Sequence, residues 1–319
     1  MRINYILLFA AAGCLFTACH KTLSTGDAAF GVTVEKTTLS LGDTARFGFT
    51  GNPDVISFYS GEVGKRYDYR NRISADGIPL LRFRTIRANG SQANSLALLV
   101  SNNFEGVLTT DTATTIGRIK NAAWTDITAR ATLSTGAAGA VSSGNIDLSD
   151  FSVQEKPVFI AFKYLGYVGS AQSKWTIDSF SVKNILADGT SYITANMNEY
   201  NIAYTNYGVT SYSPGFSAYK ASSVYNWTIT SSSLVITGAA SAGAATTAAE
   251  AWVILGPLNL KKVTPDAGMP VKNTSQKAGD LKYNYMYTAI GEYHAVFAGG
   301  KISVDESEYN TTSFQIIVK

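Results

Sequence analysis

Histidine and cysteine, the residues most used for nucleophilic and metal chemistry, occur only twice each in 319 residues. Cys14 and Cys19 both belong to the first residues, MRINYILLFAAAGCLFTAC. The chain beyond them has no disulfide, no cysteine-based metal site and no thiol nucleophile. His20 stands in a polar stretch, and His294 lies on an alternating, strand-like run. A Ser-His-Asp triad would have to use His294, and no Gly-x-Ser-x-Gly elbow accompanies it. His294 therefore reads as a surface strand histidine. Zinc would find one histidine and otherwise only carboxylates. Glycoside hydrolysis asks for less, a pair of carboxylates about 5–10 Å apart. Glu62, Asp68, Asp126, Asp147, Asp150 and Asp178 are available, and no spacing singles out two of them. Asp178 ends a Trp-x-Ile-Asp run, where a structural hydrogen bond is its expected role. No catalytic residue is assigned.

Aromatic residues are the better lead. A sugar presents a flat apolar C–H face that stacks on a ring while its hydroxyls seek polar partners. Trp124, Trp175, Trp227 and Trp252 fall at strand-like positions and read as core. Tyr200, Tyr204, Tyr207, Tyr212 and Tyr219 lie in the polar, poorly patterned stretch NEYNIAYTNYGVTSYSPGFSAY. Two readings stand for these tyrosines. They form a glycan-binding loop, or they pin that loop to its scaffold.

The elements that must position these residues are strands. Charged residues make up 15% of the chain, below the roughly 25% usual for globular proteins. Tyrosine (18) and phenylalanine (15) are plentiful and proline (7) is scarce, a profile that suits strands with many turns. Phe30, Val32 and Val34 alternate with polar residues. Gly42-Asp43 marks a turn before Ala45, Phe47 and Phe49, and Gly51-Asn52-Pro53-Asp54 marks another. Pro157–Tyr164 predicts a buried strand, with Trp175–Val182 as its expected partner. No stretch sustains an apolar period of 3.6, so few helices are expected. The formal net charge of +3 is small and scattered, which argues against nucleic acid. No polybasic membrane patch is visible.

The leader combines Arg2, an apolar run and small residues before Cys19, which is the pattern of a secretory signal. Phe16-Thr17-Ala18-Cys19 resembles the lipobox of bacterial lipoproteins. That resemblance implies cleavage before Cys19 and lipidation of its thiol, with Cys14 as the rival position. Residues 1–18 are then the signal peptide and 19–29 a tether. His20–Ser24 carries no acidic export signal, so cell surface and periplasmic face both stay open.

Tyr287-Thr288-Ala289-Ile290-Gly291-Glu292-Tyr293, with the early Gly42-Asp43 pair and a closing strand over Ser313–Val318, resembles a polycystic-kidney-disease-type (PKD) or immunoglobulin-like β-sandwich. The Trp124 segment, the Ile160-Ala161-Phe162-Lys163-Tyr164 strand and the Trp175-Thr176-Ile177-Asp178 strand resemble a galactose-binding-like jelly roll of the choice-of-anchor kind. The expected fold is all-β: an immunoglobulin/PKD-like β-sandwich from 30–72 and 262–319, with a jelly roll at 73–261 inserted into it. Jelly rolls of this kind often carry a structural calcium, and Asp76-Gly77, Asp147 and Asp150 are the loop candidates for one. No other cofactor is expected.

Ser57-Phe58-Tyr59-Ser60-Gly61-Glu62 with Tyr67, and Trp252 followed by Gly256-Pro257-Leu258-Asn259-Leu260, resemble Bacteroidetes-type lipoproteins of domain-of-unknown-function family 5017. The resemblance implies an outer-membrane lipoprotein found beside glycan-uptake proteins, and it brings no catalytic motif. The leading expectation is a non-catalytic, lipid-anchored protein that binds glycans for nutrient capture. A structural or adhesion lipoprotein with protein partners is the alternative, and a carbohydrate-active enzyme the third.

Overall fold

Alternating side chains build every large element of this chain. The computed structural model describes residues 30–319 apart from 91, 138, 153–155, 200, 213, 223, 276–280 and 304–305. The leader, Cys14, Cys19, the 19–29 tether and Tyr200 lie outside the described residues. Strands dominate; among the described residues the longest helix is Thr112–Asn121, and Ser149–Ser152 adds one turn. The protein is all-β. Among the described residues no helix is long and apolar enough to cross a membrane.

The chain forms two compact units. One takes the described residues up to Asn71 together with those of Pro265–Lys319, and the other takes those of Arg72–Thr264. In the first, Thr44–Gly51 pairs with Phe30–Val34 on one side and Lys282–Met286 on the other. A five-stranded sheet runs Met269–Lys272, Val55–Tyr59, Gly291–Ile302, Ser307–Val318 and Thr38–Leu39. Phe47, Phe58 and Phe297 fill the core of this unit. Phe58 stacks on Phe297 with centroids 4.5 Å apart, and Phe47 meets Phe297 edge-on at 4.8 Å. Each such ring contributes about 1.5–3 kcal/mol by burial.

The hairpin tyrosines join that core. Tyr287 is buried, donates to the Ser60 carbonyl (3.2 Å) and stacks on Tyr293 at 4.6 Å. Burial pushes the Tyr287 hydroxyl well above its ordinary pKa. The Ser57–Glu62 motif proves to be the end of the Val55–Tyr59 strand and a pinned turn after it. The Glu62 carboxylate accepts from the Ser60 hydroxyl (2.8 Å) and the Tyr285 hydroxyl, and Lys65 Nζ lies 3.0 Å from Tyr285 Oη. Gly61 has φ +86, and a Cβ there would sit 2.7 Å from the His294 backbone nitrogen. Only glycine meets both demands. The buried Asp266 carboxylate accepts from the Arg66 backbone N–H at 2.9 Å.

In the second unit two sheets face each other across one apolar core. The first sheet runs Ser217–Lys220, Ala249–Leu258, Val158–Gly166, Leu96–Ser101 and Thr125–Asp126. The second runs Thr228–Ile229, Ser233–Thr237, Lys174–Ile185, Ile78–Ala88 and Val141–Ser142, with Ser191–Asn196 and Ile146–Asp147 pairing beside it. Ile160, Phe162 and Val253 from the first sheet meet Phe83, Ile177 and Leu234 from the second. This corrects one expectation. Trp175–Val182 does not pair with Pro157–Tyr164; the two strands belong to opposite sheets. Both are apolar because each presents a face to the same core, and shared hydrophobicity carries no information about hydrogen-bond partners. Gln172, buried in the connection between them, holds the crossing through the Ala239 N–H (3.1 Å) and the Thr247 carbonyl (3.0 Å).

Candidate functional site

The first sheet of the Arg72–Thr264 unit has a second face, turned away from the shared core. Along Val158–Gly166 that face carries Phe159, Ala161 and Lys163, and along Ala249–Leu258 it carries Glu250, Trp252 and Ile254. After Leu96–Ser101 the chain loops out over this face. Asp111 caps the helix Thr112–Asn121, accepting from the Thr114 N–H (2.9 Å) and hydroxyl (2.6 Å). Ile119 of that helix, with Phe104, covers part of the face. The helix then delivers Trp124, whose indole N–H donates to the Ile119 carbonyl at 3.0 Å. The ring is thereby locked against Phe104 (5.4 Å) and Trp252 (5.3 Å).

Beside this helix lies an open groove of about 470 Å³, lined by Trp124, Trp252, Lys120, Lys163, Asp126 and Glu250. Trp124 is partly exposed, whereas Trp252 is buried at 5% exposure and backs it. Trp252 Nε1 donates to Glu250 at 2.8 Å. Lys163 Nζ lies 3.5 Å from Glu250 and 5.1 Å from the Trp252 ring centroid. Asp126 accepts the Thr128 N–H at 2.8 Å. An aromatic plate ringed by carboxylates and ammonium groups offers stacking together with hydroxyl recognition. Trp175 and Trp227 belong to the shared core, where their indoles donate to Ser95 Oγ (3.0 Å) and the Ala251 carbonyl (3.3 Å). Trp124 departs from the core position expected for it, because it follows a helix laid on the outer face.

The tyrosine stretch is more regular than its polar sequence suggests. Ala203–Asn206 and Val209–Tyr212 form a hairpin, and Ser217–Lys220 pairs with Ala249–Leu258. The expected irregular loop is therefore corrected to strands with short connections. Serine, threonine and asparagine occupy positions whose hydrogen bonds come from the partner strand, so apolar alternation is weak. Tyr219 is 7% exposed and packs in the cluster with Trp252. Tyr204 is 9% exposed, its hydroxyl bonded to the Glu199 carboxylate and Lys262 Nζ 5.3 Å from its ring centroid. Burial lowers the Lys262 pKa. Tyr212 ends its strand. Tyr207 is exposed, at 42%. It shares the two-residue turn with Gly208, at φ 48° and 77°. Positive φ at both positions matches the hairpin's twist, but a tyrosine there is strained. Tyr207 lines a cleft of about 310 Å³ with Ser74, Ser152, Lys156, Asn259 and Lys261. The fold thus separates Tyr204, Tyr207 and Tyr219.

The carboxylates are mostly engaged. Asp150 forms a two-pronged pair with Arg130 (3.0 and 2.7 Å), which holds its carboxyl below the ordinary range. Asp178 pairs with Arg84 at 2.6 Å. Of the calcium candidates, Asp76 meets Lys261 at 2.9 Å and Asp147 accepts from Ser149 at 2.6 Å. Among the described residues no three His, Cys, Asp or Glu side chains gather as a metal cluster. His294 is an exposed strand residue opposite Gln315.

An all-β chain with an aromatic surface groove is a broad class, and comparison narrows it. The model of the family described as a domain of unknown function (DUF5017) matches residues 18–202, and the chain belongs to that family. The match contains Ser57–Glu62 and Trp124 and ends before Trp252. No curated protein and no solved structure matches the chain.

Proposed function

We propose that this protein is a non-catalytic cell-envelope lipoprotein that captures glycans, with the Trp124 groove as its binding site. The observation that carries the reading is the partly exposed Trp124, locked by its indole hydrogen bond and backed by Trp252, amid Lys163, Glu250 and Asp126. A pre-positioned ring loses little freedom when a sugar stacks on it. Carboxylates and an ammonium at its edge accept from and donate to hydroxyls. The strained, exposed Tyr207 is a second candidate sugar contact, since strain retained at a tight turn points to use.

Placement in the outer membrane rests on the leader and the lipobox-like Phe16–Cys19. Attachment through lipid on Cys19 brings the groove to glycan delivered at that membrane, beside glycan-uptake proteins. The immunoglobulin/PKD-like reading of the first unit and the jelly-roll reading of the second suit such a display role. A glycan array on the full chain and on Trp124→Ala tests the proposal. Carbohydrate hits that weaken in Trp124→Ala support it. No hits, together with capture of a protein partner, would replace it with the adhesion reading. Release of shortened product would move Asp126 and Glu250 into catalytic roles.

A further inference from the structure

The second sheet of the Arg72–Thr264 unit also has an outer face, and there the chemistry changes. Lys174–Ile185 pairs with Ile78–Ala88, and the register slips between Asp178 and Ser181, where Ser179 and Phe180 oppose Phe83 alone. Phe180 fills the core while Ser179 adopts φ 51°. The bulge opens a cleft of about 420 Å³, lined among others by Arg82, Arg84, Lys183, Ser179, Ser181 and Asn145. Three cations share this opening. Asp178 is taken by Arg84 at 2.6 Å. Asp147, opposite Leu80, accepts from the Ser149 N–H and hydroxyl. Arg82 and Lys183 are exposed, and among the described residues neither has an ion pair or side-chain hydrogen bond. Arg82 pairs across the strands with Ser181 and Lys183 with Leu80, so the two cations sit diagonally on one face. Like charges at that spacing repel, and among the described residues neither cation is held in an ion pair.

We infer that this cleft binds an oxyanion carried by a sugar, the carboxylate or sulfate of an acidic polysaccharide. A guanidinium presents a planar fork that matches either group, and an ammonium adds a point charge. The hydroxyls of Ser179 and Ser181 and the Asn145 amide suit the remaining sugar oxygens. The cleft falls within the 300–1,000 Å³ usual for ligand sites. The inference takes its ligand class from the glycan reading of the Trp124 groove, on the other sheet, but uses none of its residues.

The test is calorimetric titration of the full chain, at low salt, with polygalacturonate, dextran sulfate and neutral dextran. Three proteins are compared: the parent, Arg82→Gln/Lys183→Gln, and Lys36→Gln/Lys319→Gln. The last removes the same charge elsewhere. The expected result is binding of one or both acidic polymers but not of neutral dextran. Arg82→Gln/Lys183→Gln should weaken it by about tenfold at an unchanged melting temperature, with the control double variant like the parent. The polygalacturonate and dextran sulfate arms tell carboxylate from sulfate. Equal weakening in the control means diffuse attraction and overturns the inference. So does parent-like binding by the cleft variant, or no binding of either acidic polymer. Neutral-glycan hits that depend on Trp124 would survive any of these failures, so the two readings are judged apart.

Discussion

Trp124 and Trp175 share a residue type and differ in what surrounds them, and that difference predicts opposite phenotypes. Trp175 is buried in the shared core and bonded to Ser95. Trp175→Ala should cost about 3–5 kcal/mol of stability. Trp124→Ala should leave most of the melting temperature intact and cost about 1–2 kcal/mol of glycan affinity, roughly a five- to thirtyfold weakening. Thermal melts paired with calorimetric binding separate the two. A Trp124→Ala protein that melts as low as Trp175→Ala would make the groove a structural seam. Tyr207 offers a second contrast. Asparagine tolerates positive φ far better than tyrosine, so Tyr207→Asn should stabilise the hairpin by about 0.5–1 kcal/mol. If Tyr207 contacts sugar, the same variant binds glycan less well. A lower melting point would instead show that the ring supports the fold.

The helix Thr112–Asn121 is the element that walls the groove, and its cap controls it. The Thr114 hydroxyl and backbone N–H hold the Asp111 carboxyl below its ordinary value of 3.8. A carboxyl depressed in the folded state stabilises above its unfolded pKa, and the contribution is lost as pH falls through the folded pKa. Hydrogen-exchange protection over residues 112–121, taken relative to the intrinsic exchange rate at each pH, should therefore be high near neutral pH in the parent and fall on acidification below about pH 4. In Asp111→Ala the protection should be low already at neutral pH, with little further change on acidification. Identical exchange in both proteins would show that packing of Ile119 alone holds the helix.

At the scale of the molecule, the division at Asn71/Arg72 and Thr264/Pro265 makes a direct prediction. Residues 72–264 expressed alone contain both facing sheets and their core, and should melt in one cooperative transition. A broad, non-cooperative melt would mean that this core needs the flanking segments. The anchor is tested separately. Cys19→Ala should abolish metabolic labelling with a fatty-acid analogue; labelling that persists would move the anchor to Cys14.

The all-β class and the buried strands around Phe47, Phe162 and Ile177 were legible in the sequence, because period-two alternation and β-branched or aromatic runs are local properties. The family was legible in Ser57–Glu62 and Tyr67, whose tight turn needs Gly61 and whose glutamate needs a hydroxyl partner. Which strands pair was not legible. Val158–Gly166 and Lys174–Ile185 look like neighbours, yet they face each other across a core, because strand pairing is chosen by contacts far apart in the chain. The groove was hidden for the same reason. Trp252 sits in an unbroken apolar run, AWVIL, and only the position of a neighbouring helix decides that its side of the sheet stays partly open. The tyrosines at 204, 207 and 219 look alike in sequence. Tertiary packing buries two of them and leaves Tyr207 at the tip of a turn. Local chemistry determined what each segment is. Long-range packing decided which side chains remain for a ligand.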